Sequence, residues 1–204
     1  MTVVTHKGNI LGIGPDTVDA DQIVDGWNDY VSTLSQAKIG GGTVPTWAAY
    51  GGSSIYTWQF SASAMNELII APFHIEHDYK PNSRWHFHVH WSPDSTHAGT
   101  VRWGFEYSIA KGHGQSAFTP GSTTTIYIEQ AGSGTQYQHQ IAEDATGIID
   151  TEVEVDCLIM GRLFRDGAHV NDTFTGVAHG LTVDLHYQAE RFATVNKAPN
   201  FYGN

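Results

Sequence analysis

Three histidines alternate with apolar residues in the run Trp85-His86-Phe87-His88-Val89-His90-Trp91. Side chains alternate across a β-strand, so this spacing predicts a strand with the three imidazoles on one face and aromatic residues on the other. Neighbouring imidazoles on such a face stand roughly 7 Å apart, and two of them can reach one metal ion. A further ligand has to come from another strand, and Asp184 or His186 can supply it if their strand is adjacent. Zinc or iron is the natural ion for imidazole combined with carboxylate.

Three interpretations of this histidine face stay open. It can belong to a metal-dependent jelly-roll enzyme that uses His86, His88 and His186. It can hold a structural metal or form a histidine cluster on a threefold axis. It can also be the hydrogen-bonded, semi-polar side of a sheet, which the pattern favours because the glutamate that follows H-x-H in cupins is replaced here by Ser92-Pro93-Asp94. If the face binds an ion, the predicted ligands are His86, His88 and His90.

A second alternating run, Val101 to Tyr107, predicts another strand with an aromatic core face. The link between the two runs contains Pro93, Asp94 and Gly99, residues that turn a chain, so we expect a long hairpin at the centre of a sheet. Similar patterns recur along the chain between glycine-marked turns, about eight to ten strands in all. The predicted fold is therefore mainly β: an antiparallel β-sandwich or jelly roll with one N-terminal amphipathic helix and extended terminal arms.

The chain is predicted to have three parts. Residues 1–15 form an N-terminal arm, residues 16–40 contain a helix packed on or beside the body, and residues 41–204 form the β-sandwich with a C-terminal tail. The helix is inferred from apolar residues near helical spacing. They are Val18, Ile23, Trp27, Tyr30, Val31 and Leu34.

Composition excludes several classes of function. The formal net charge is −11, with 10 Lys and Arg against 21 Asp and Glu, and no basic cluster predicts a nucleic-acid partner. No run approaches the about 20 apolar residues of a membrane helix, and the N-terminus lacks the pattern of a signal peptide. Neither a G-x-S-x-G nucleophile motif nor a phosphate-binding loop occurs. We therefore predict a non-enzymatic protein with no cofactor.

Several short motifs are distributed over most of the chain, from Trp27-Asn28-Asp29 to the C-terminus. They are His77-Asp78-Tyr79, His86-Phe87-His88-Val89-His90-Trp91, Val101-Arg102-Trp103-Gly104-Phe105-Glu106-Tyr107, Ala110-Lys111-Gly112-His113, Arg162-Leu163-Phe164-Arg165-Asp166, Asn171-Asp172-Thr173 and Asn196-Lys197-Ala198-Pro199-Asn200-Phe201-Tyr202. As a set they resemble a group of tailed-phage virion proteins. The resemblance implies a non-enzymatic structural protein, and jelly-roll proteins of that kind commonly form trimers on the head or belong to the tail and its fibres.

We accordingly expect a bacteriophage virion protein that is assembled in the host cytoplasm. The first hypothesis is a homotrimeric capsid cement or decoration protein that binds the major capsid protein or neighbouring virion proteins. The second is a tail, neck or fibre protein that adheres to a receptor, and the third is a metal-dependent, cupin-like enzyme. Trp47, Tyr50 and Phe201-Tyr202 lie outside the predicted core, and such aromatic residues often mark an interface.

Overall fold

The computed structural model describes residues 3–6, 9–13, 26–114, 117–149, 151–190 and 196–201. These ranges are dominated by β-strands. The strands are β1 (Val3–His6), β2 (Asn9–Ile13), β3 (Gly26–Thr33), β4 (Thr46–Ala49), β5 (Tyr56–Phe60), β6 (Met65–Ile69), β7 (Phe73–His74), β8 (His86–Pro93), β9 (Thr100–Ala110), β10 (Thr124–Ala131), β11 (Gln140–Glu143), β12 (Leu158–Asp166) and β13 (Ala178–Ala189). Short 3-10 turns lie at Leu34–Gln36 and Tyr50–Gly52.

The body is a sandwich of two antiparallel sheets. A five-stranded sheet has the order β10-β9-β12-β6, with β7 also paired to β12. A six-stranded sheet has the order β11-β8-β13-β5-β4, with β3 also paired to β13. The prediction of a mainly β, antiparallel sandwich is thus confirmed.

The sandwich is held together by aromatic rings that meet between the sheets. Phe87 of β8 stacks on Phe105 of β9 with ring centroids 4.0 Å apart and an interplanar angle of 7°. Trp85 lies edge-on to Tyr107 at 5.2 Å on one side of this pair. Burying a large side chain of this kind contributes roughly 1.5–3 kcal/mol, so these rings supply much of the stability of the body.

The expected hairpin between β8 and β9 is wrong, although both runs are strands. β8 pairs with β11 and β13, whereas β9 pairs with β10 and β12, so the two strands belong to different sheets. Their aromatic faces cover each other across the sandwich, which buries both faces completely. Edge-to-edge pairing in one sheet would place both aromatic faces on the same side and leave another element to cover them.

The predicted N-terminal helix within residues 16–40 is also wrong wherever the structure describes it. Residues 26–33 form β3, which pairs with β13 over its whole length. Tyr30, Ser32 and Leu34 are buried in alternation with exposed residues, so a period of two prevails over the helical spacing. The aromatic and β-branched residues of this segment also favour a strand. The N-terminal part of the predicted helix, up to residue 25, lies outside the described residues.

The chain termini contain ordered elements within the predicted arms. β1 and β2 pair with each other as an antiparallel two-stranded sheet. Near the C-terminus, Phe201 is buried and contacts the rings of His77 and His113. Among the described segments, no helix has the length and apolar character needed to cross a lipid bilayer.

A buried ion pair connects β12 to the loop that leads into β13. The side chains of Arg165 and Asp172 are both fully buried and form a two-point contact, with Nε to Oδ2 at 2.9 Å and Nη2 to Oδ1 at 2.7 Å. The remaining guanidinium protons are donated to the backbone carbonyls of Phe60, Phe174 and Gly176. All five donors of the arginine are therefore satisfied, as burial of this charge requires.

Replacing Asp172 with alanine is expected to destabilise the fold by about 3–5 kcal/mol, because it leaves the Arg165 charge buried without its partner. Chemical denaturation of the variant and the parent protein measures this difference. Glu152→Ala is the matched control, since Glu152 pairs with Lys111 and its side chain is 61% exposed, a setting in which ion pairs contribute about 0–1 kcal/mol. Equal losses of stability in the two variants would contradict the assignment of Arg165 and Asp172 as a structural pair.

Candidate metal centre

The predicted histidine face lies on the outer side of the six-stranded sheet. β8 and β13 are neighbours, and their register places His86 opposite His186, His88 opposite Asp184 and His90 opposite Thr182. The strand that carries Asp184 is therefore adjacent to the histidine strand, which is the condition that the sequence left open. Since Phe87 and Val89 face the core, alternation directs the three histidines away from it.

One carboxylate oxygen lies against two of these imidazoles. Asp184 Oδ2 is 3.2 Å from His88 Nε2 and 3.1 Å from His90 Nε2. The His88 contact is aligned as a hydrogen bond, whereas His90 Nε2 is buried without an aligned hydrogen-bond partner. Asp184 Oδ1 accepts a hydrogen bond from the Thr182 hydroxyl at 3.3 Å.

The ionised form of Asp184 is favoured by its neighbours. Burial opposes the charge, but the hydrogen bond from His88 and the adjacent imidazole of His90 outweigh burial and hold the pKa of Asp184 well below its usual range. The contacts with the two imidazoles thus keep this largely buried carboxyl in its ionised form.

His88 is the most buried member of the cluster, with 1% of its surface exposed. Its Nδ1 atom has no hydrogen-bond partner, and the carboxylate of Glu143 lies 3.9 Å from it. His186 lies beside it, with ring centroids 4.1 Å apart. The nitrogens of His186 contact two carboxylates, Nδ1 to Glu143 at 2.7 Å and Nε2 to Asp29 at 2.9 Å.

His86 has a different environment from His88 and His90. Its Nδ1 atom lies 2.7 Å from the carbonyl oxygen of Asp144, and its ring packs edge-on against Trp27 at 5.5 Å. The structure thus separates His86 from the other two predicted ligands, His88 and His90. His88 and His90 converge on one carboxylate, whereas His86 lies at the other end of the row with a backbone partner.

Two groups of side chains in the described ranges have the spacing needed to hold a metal ion. They are His88, His90 and Asp184, and Asp29, His88 and His186, with the ligand atoms of each group within 4.8 Å of one another. The sequence analysis named Asp184 and His186 as possible partners but missed Asp29, Glu143 and His139. Asp29 was missed because its segment was assigned to a helix. The signal that could have found it is the strand propensity of the aromatic and β-branched residues Trp27, Tyr30, Val31 and Thr33.

A second cluster joins three histidines at a different place. The carboxylate of Asp156 lies 3.3 Å from His74 Nε2, 3.3 Å from His77 Nε2 and 2.7 Å from His113 Nε2. Asp156 has a φ of 65°, a conformation that only glycine, asparagine and aspartate adopt readily. Burial opposes the charge of Asp156, but the hydrogen bond with His113 and the nearby ring of His77 outweigh it, so the pKa of this carboxyl is lowered.

The comparisons with known proteins leave the family of this chain open. No protein-family model matches the sequence, and no curated protein matches it. Among solved structures, the chain is similar to the carbohydrate-binding module TmCBM61, whose structure contains β-1,4-galactotriose. The alignment covers 81% of this chain and 88% of that chain, with 10% sequence identity and a TM-score of 0.31.

The lowered pKa of Asp156 predicts a pH-dependent contribution to stability. Because its folded-state pKa lies below the unfolded value of about 3.9, the contribution is present above that pH and is lost as the pH falls through the folded-state pKa. Asp156→Asn keeps the shape and tolerates the positive φ but cannot ionise. We expect the variant to be less stable at pH 7 by up to about 1 kcal/mol, the range of partly exposed ion pairs.

Urea unfolding of the parent protein and Asp156→Asn between pH 7 and pH 2 measures this contribution. The difference between the two proteins should shrink below about pH 4, where the parent carboxyl becomes protonated. A difference that stays constant over the whole range would contradict the assigned contacts between the Asp156 carboxylate and the three imidazoles.

Proposed function

We propose that this chain is a non-enzymatic structural protein of a tailed-phage virion. Within that class we propose a capsid cement or decoration protein with a jelly-roll body, which binds the major capsid protein as a homotrimer. The resemblance of its motifs to tailed-phage virion proteins supports the virion, and one structural observation carries the binding role. That observation is an exposed aromatic surface at the end of the six-stranded sheet.

This surface, called the edge aromatic surface below, is formed by Trp47, Tyr56 and Trp58. Trp47 of β4 lies 5.1 Å from Trp58 and 6.1 Å from Tyr56, measured between ring centroids. Trp47 is 44% exposed and Tyr56 is 52% exposed, so two large rings are presented to solvent side by side. Contiguous apolar patches on a protein surface usually mark a contact site.

The edge aromatic surface continues the core-facing row of β5. Phe60 of this strand is fully buried, and alternation puts Trp58 and Tyr56 on the same face as Phe60. Trp47 is directly opposite Trp58 in the register, which gives it the same orientation. The row thus begins in the core and ends in solvent, and a neighbouring protein could complete its burial.

The backbone at this place is also available for pairing. β4 is the terminal strand of its sheet and, among the described strands, pairs with β5 alone. An edge strand with a free row of backbone groups is a template for another chain unless it is protected by charge, proline or a covering element. β4 consists of Thr46, Trp47, Ala48 and Ala49, none of which is charged.

The charge distribution fits a partner with a basic surface. The net charge is −11, and several of the ten basic side chains are already paired within the chain. Arg102 contacts Glu129 and Asp166, and Arg162 contacts Glu67 and Glu106. The remaining excess of carboxylates favours association with a positively charged partner and opposes binding to nucleic acid.

A second candidate function is favoured by the geometry of the same rings. Trp47 and Tyr56 are inclined by 32° to each other and both are exposed, so they form a platform on which a sugar ring can stack. This arrangement would suit a tail, neck or fibre protein that adheres to host glycans. The two candidates share the edge aromatic surface and differ in the partner and in the number of copies per particle.

The copy number of the chain in purified virions separates these candidates. We expect quantitative mass spectrometry to find about one copy per major capsid protein, because a cement protein has to cover the shell. A few copies per hundred capsid proteins would instead support a tail, neck or fibre protein. Absence from the particle would contradict both virion functions.

Replacing Trp47 with alanine is expected to weaken binding of the purified protein to particles that lack it by at least tenfold, because aromatic anchors dominate interfaces. Tyr127→Ala is the matched control, since Tyr127 is comparably exposed on β10 of the other sheet. Binding to particles and to immobilised host glycans is measured for each variant. If Trp47→Ala and Tyr127→Ala bind equally well, the edge aromatic surface is not the contact site.

A further inference from the structure

We infer that His88, His90 and Asp184 form a binding site for one divalent transition-metal ion. The ligand atoms are His88 Nε2, His90 Nε2 and Asp184 Oδ2, which lie on the neighbouring strands β8 and β13. This inference is independent of the proposed function, since it rests on a different face of the molecule from the edge aromatic surface.

Two of the three distances between the ligand atoms match those of a coordination sphere, and all three atoms lie within 4.8 Å of one another. Zinc binds imidazole nitrogen and carboxylate oxygen at about 2.0–2.2 Å, which separates two ligands by about 2.9 Å at a right angle and by about 3.4 Å at the tetrahedral angle. The carboxylate oxygen of Asp184 is 3.2 Å from one imidazole nitrogen and 3.1 Å from the other. Both values lie within that interval.

The orientation of His90 favours an ion over a hydrogen bond. Its Nε2 atom is buried and close to Asp184 Oδ2, yet no hydrogen bond is aligned between them. Two side chains that bind the same ion can lie this close without a hydrogen bond between them, because the lone pair of each ligand atom is directed at the ion and not at the other ligand. The other nitrogen of the ring, Nδ1, is held by His139 Nε2 at 2.7 Å, which fixes the orientation of the ring.

The surroundings of His88 support the same assignment. A histidine that binds metal through Nε2 carries its proton on Nδ1, and that proton usually faces a carboxylate or a carbonyl. Nδ1 of His88 is buried without a hydrogen-bond partner and faces the carboxylate of Glu143 at 3.9 Å. Without an ion, the hydrogen bond to Asp184 requires the proton on Nε2, which directs the lone pair of Nδ1 towards the carboxylate of Glu143 and leaves a buried acceptor without a donor. An ion bound to Nε2 would move the proton to Nδ1 and remove this conflict.

The alternative group of Asp29, His88 and His186 is less suitable. His186 Nε2 contacts Asp29 Oδ1 at 2.9 Å, a separation that also fits two ligands of one ion, so the exposure of the ligands decides between the groups. Asp29 and His186 are more exposed than Asp184, and water competes better for their charges. His86 belongs to neither group in the described part of the chain.

The ligand types determine the class of ion. Two imidazoles with one carboxylate suit zinc, ferrous iron and related first-row metals, whereas magnesium and calcium prefer sets of oxygen ligands. A bound ion would connect β8 to β13 through three side chains in addition to their backbone hydrogen bonds. Binding would therefore stabilise the folded chain by mass action.

Isothermal titration of the full chain, stripped of metal with a chelator, tests the site with ZnCl2, with FeCl2 under anaerobic conditions and with MgCl2. We expect one Zn²⁺ or Fe²⁺ per chain, no binding of Mg²⁺, and an increase of several degrees in the melting temperature with saturating Zn²⁺. Asp184→Asn and His90→Ala should each weaken Zn²⁺ binding at least tenfold and abolish that increase. His86→Ala is the matched control from the same row and should change the affinity by less than about twofold.

Each other outcome would overturn the assignment. Failure of the parent protein to bind Zn²⁺ or Fe²⁺ stoichiometrically would exclude the site. Loss of binding in His186→Ala, with Asp184→Asn and His90→Ala unaffected, would move the site to the alternative group. Several weak sites that no variant changes would indicate non-specific binding by the twelve histidines. Because His90 is partly exposed, His90→Ala keeps the test decisive even if Asp184→Asn does not fold.

Discussion

The contact between the aromatic faces of β8 and β9 is the constraint on which the rest of this structure depends. Phe87 and Phe105 stack at 4.0 Å, and each ring belongs to a different sheet. Once these faces are buried against each other, alternation directs the opposite face of β8 away from the core. The histidines occupy that outer face for this reason, and their neighbours are determined by the strands that pair with β8.

The polar cluster is assembled by strand register from segments that are far apart in sequence. β13 places Asp184 next to His88, β11 brings Glu143 towards the same ring, and β3 contributes Asp29 beside His186. Because His88 and Asp184 are shielded from water, their interaction is stronger than that of surface groups. The carboxylate of Asp184 and the imidazoles of His88 and His90 therefore form a polar group that neither β8 nor β13 could form alone.

The edge aromatic surface and the histidine cluster lie at different places on the six-stranded sheet. The edge aromatic surface is apolar and lies at the end of the six-stranded sheet, whereas the histidine cluster lies on the outer side of its centre. The scaffold behind both surfaces contains a buried ion pair, in which Arg165 contacts Asp172 and every arginine donor is satisfied. A rigid sandwich of this kind can present a binding surface without any movement of its core.

The sequence by itself determined the mainly β class, the two aromatic strand faces and the histidine row, because a period of two is a local property of the chain. It also indicated Asp184 and His186 as partners conditional on adjacency. Tertiary structure decided that β8 and β9 face each other across the sandwich, that residues 26–33 form a strand and not a helix, and that His86 is separated from His88 and His90. These outcomes depend on which strands pair and which faces are covered, and such long-range choices leave no periodic signal in the sequence.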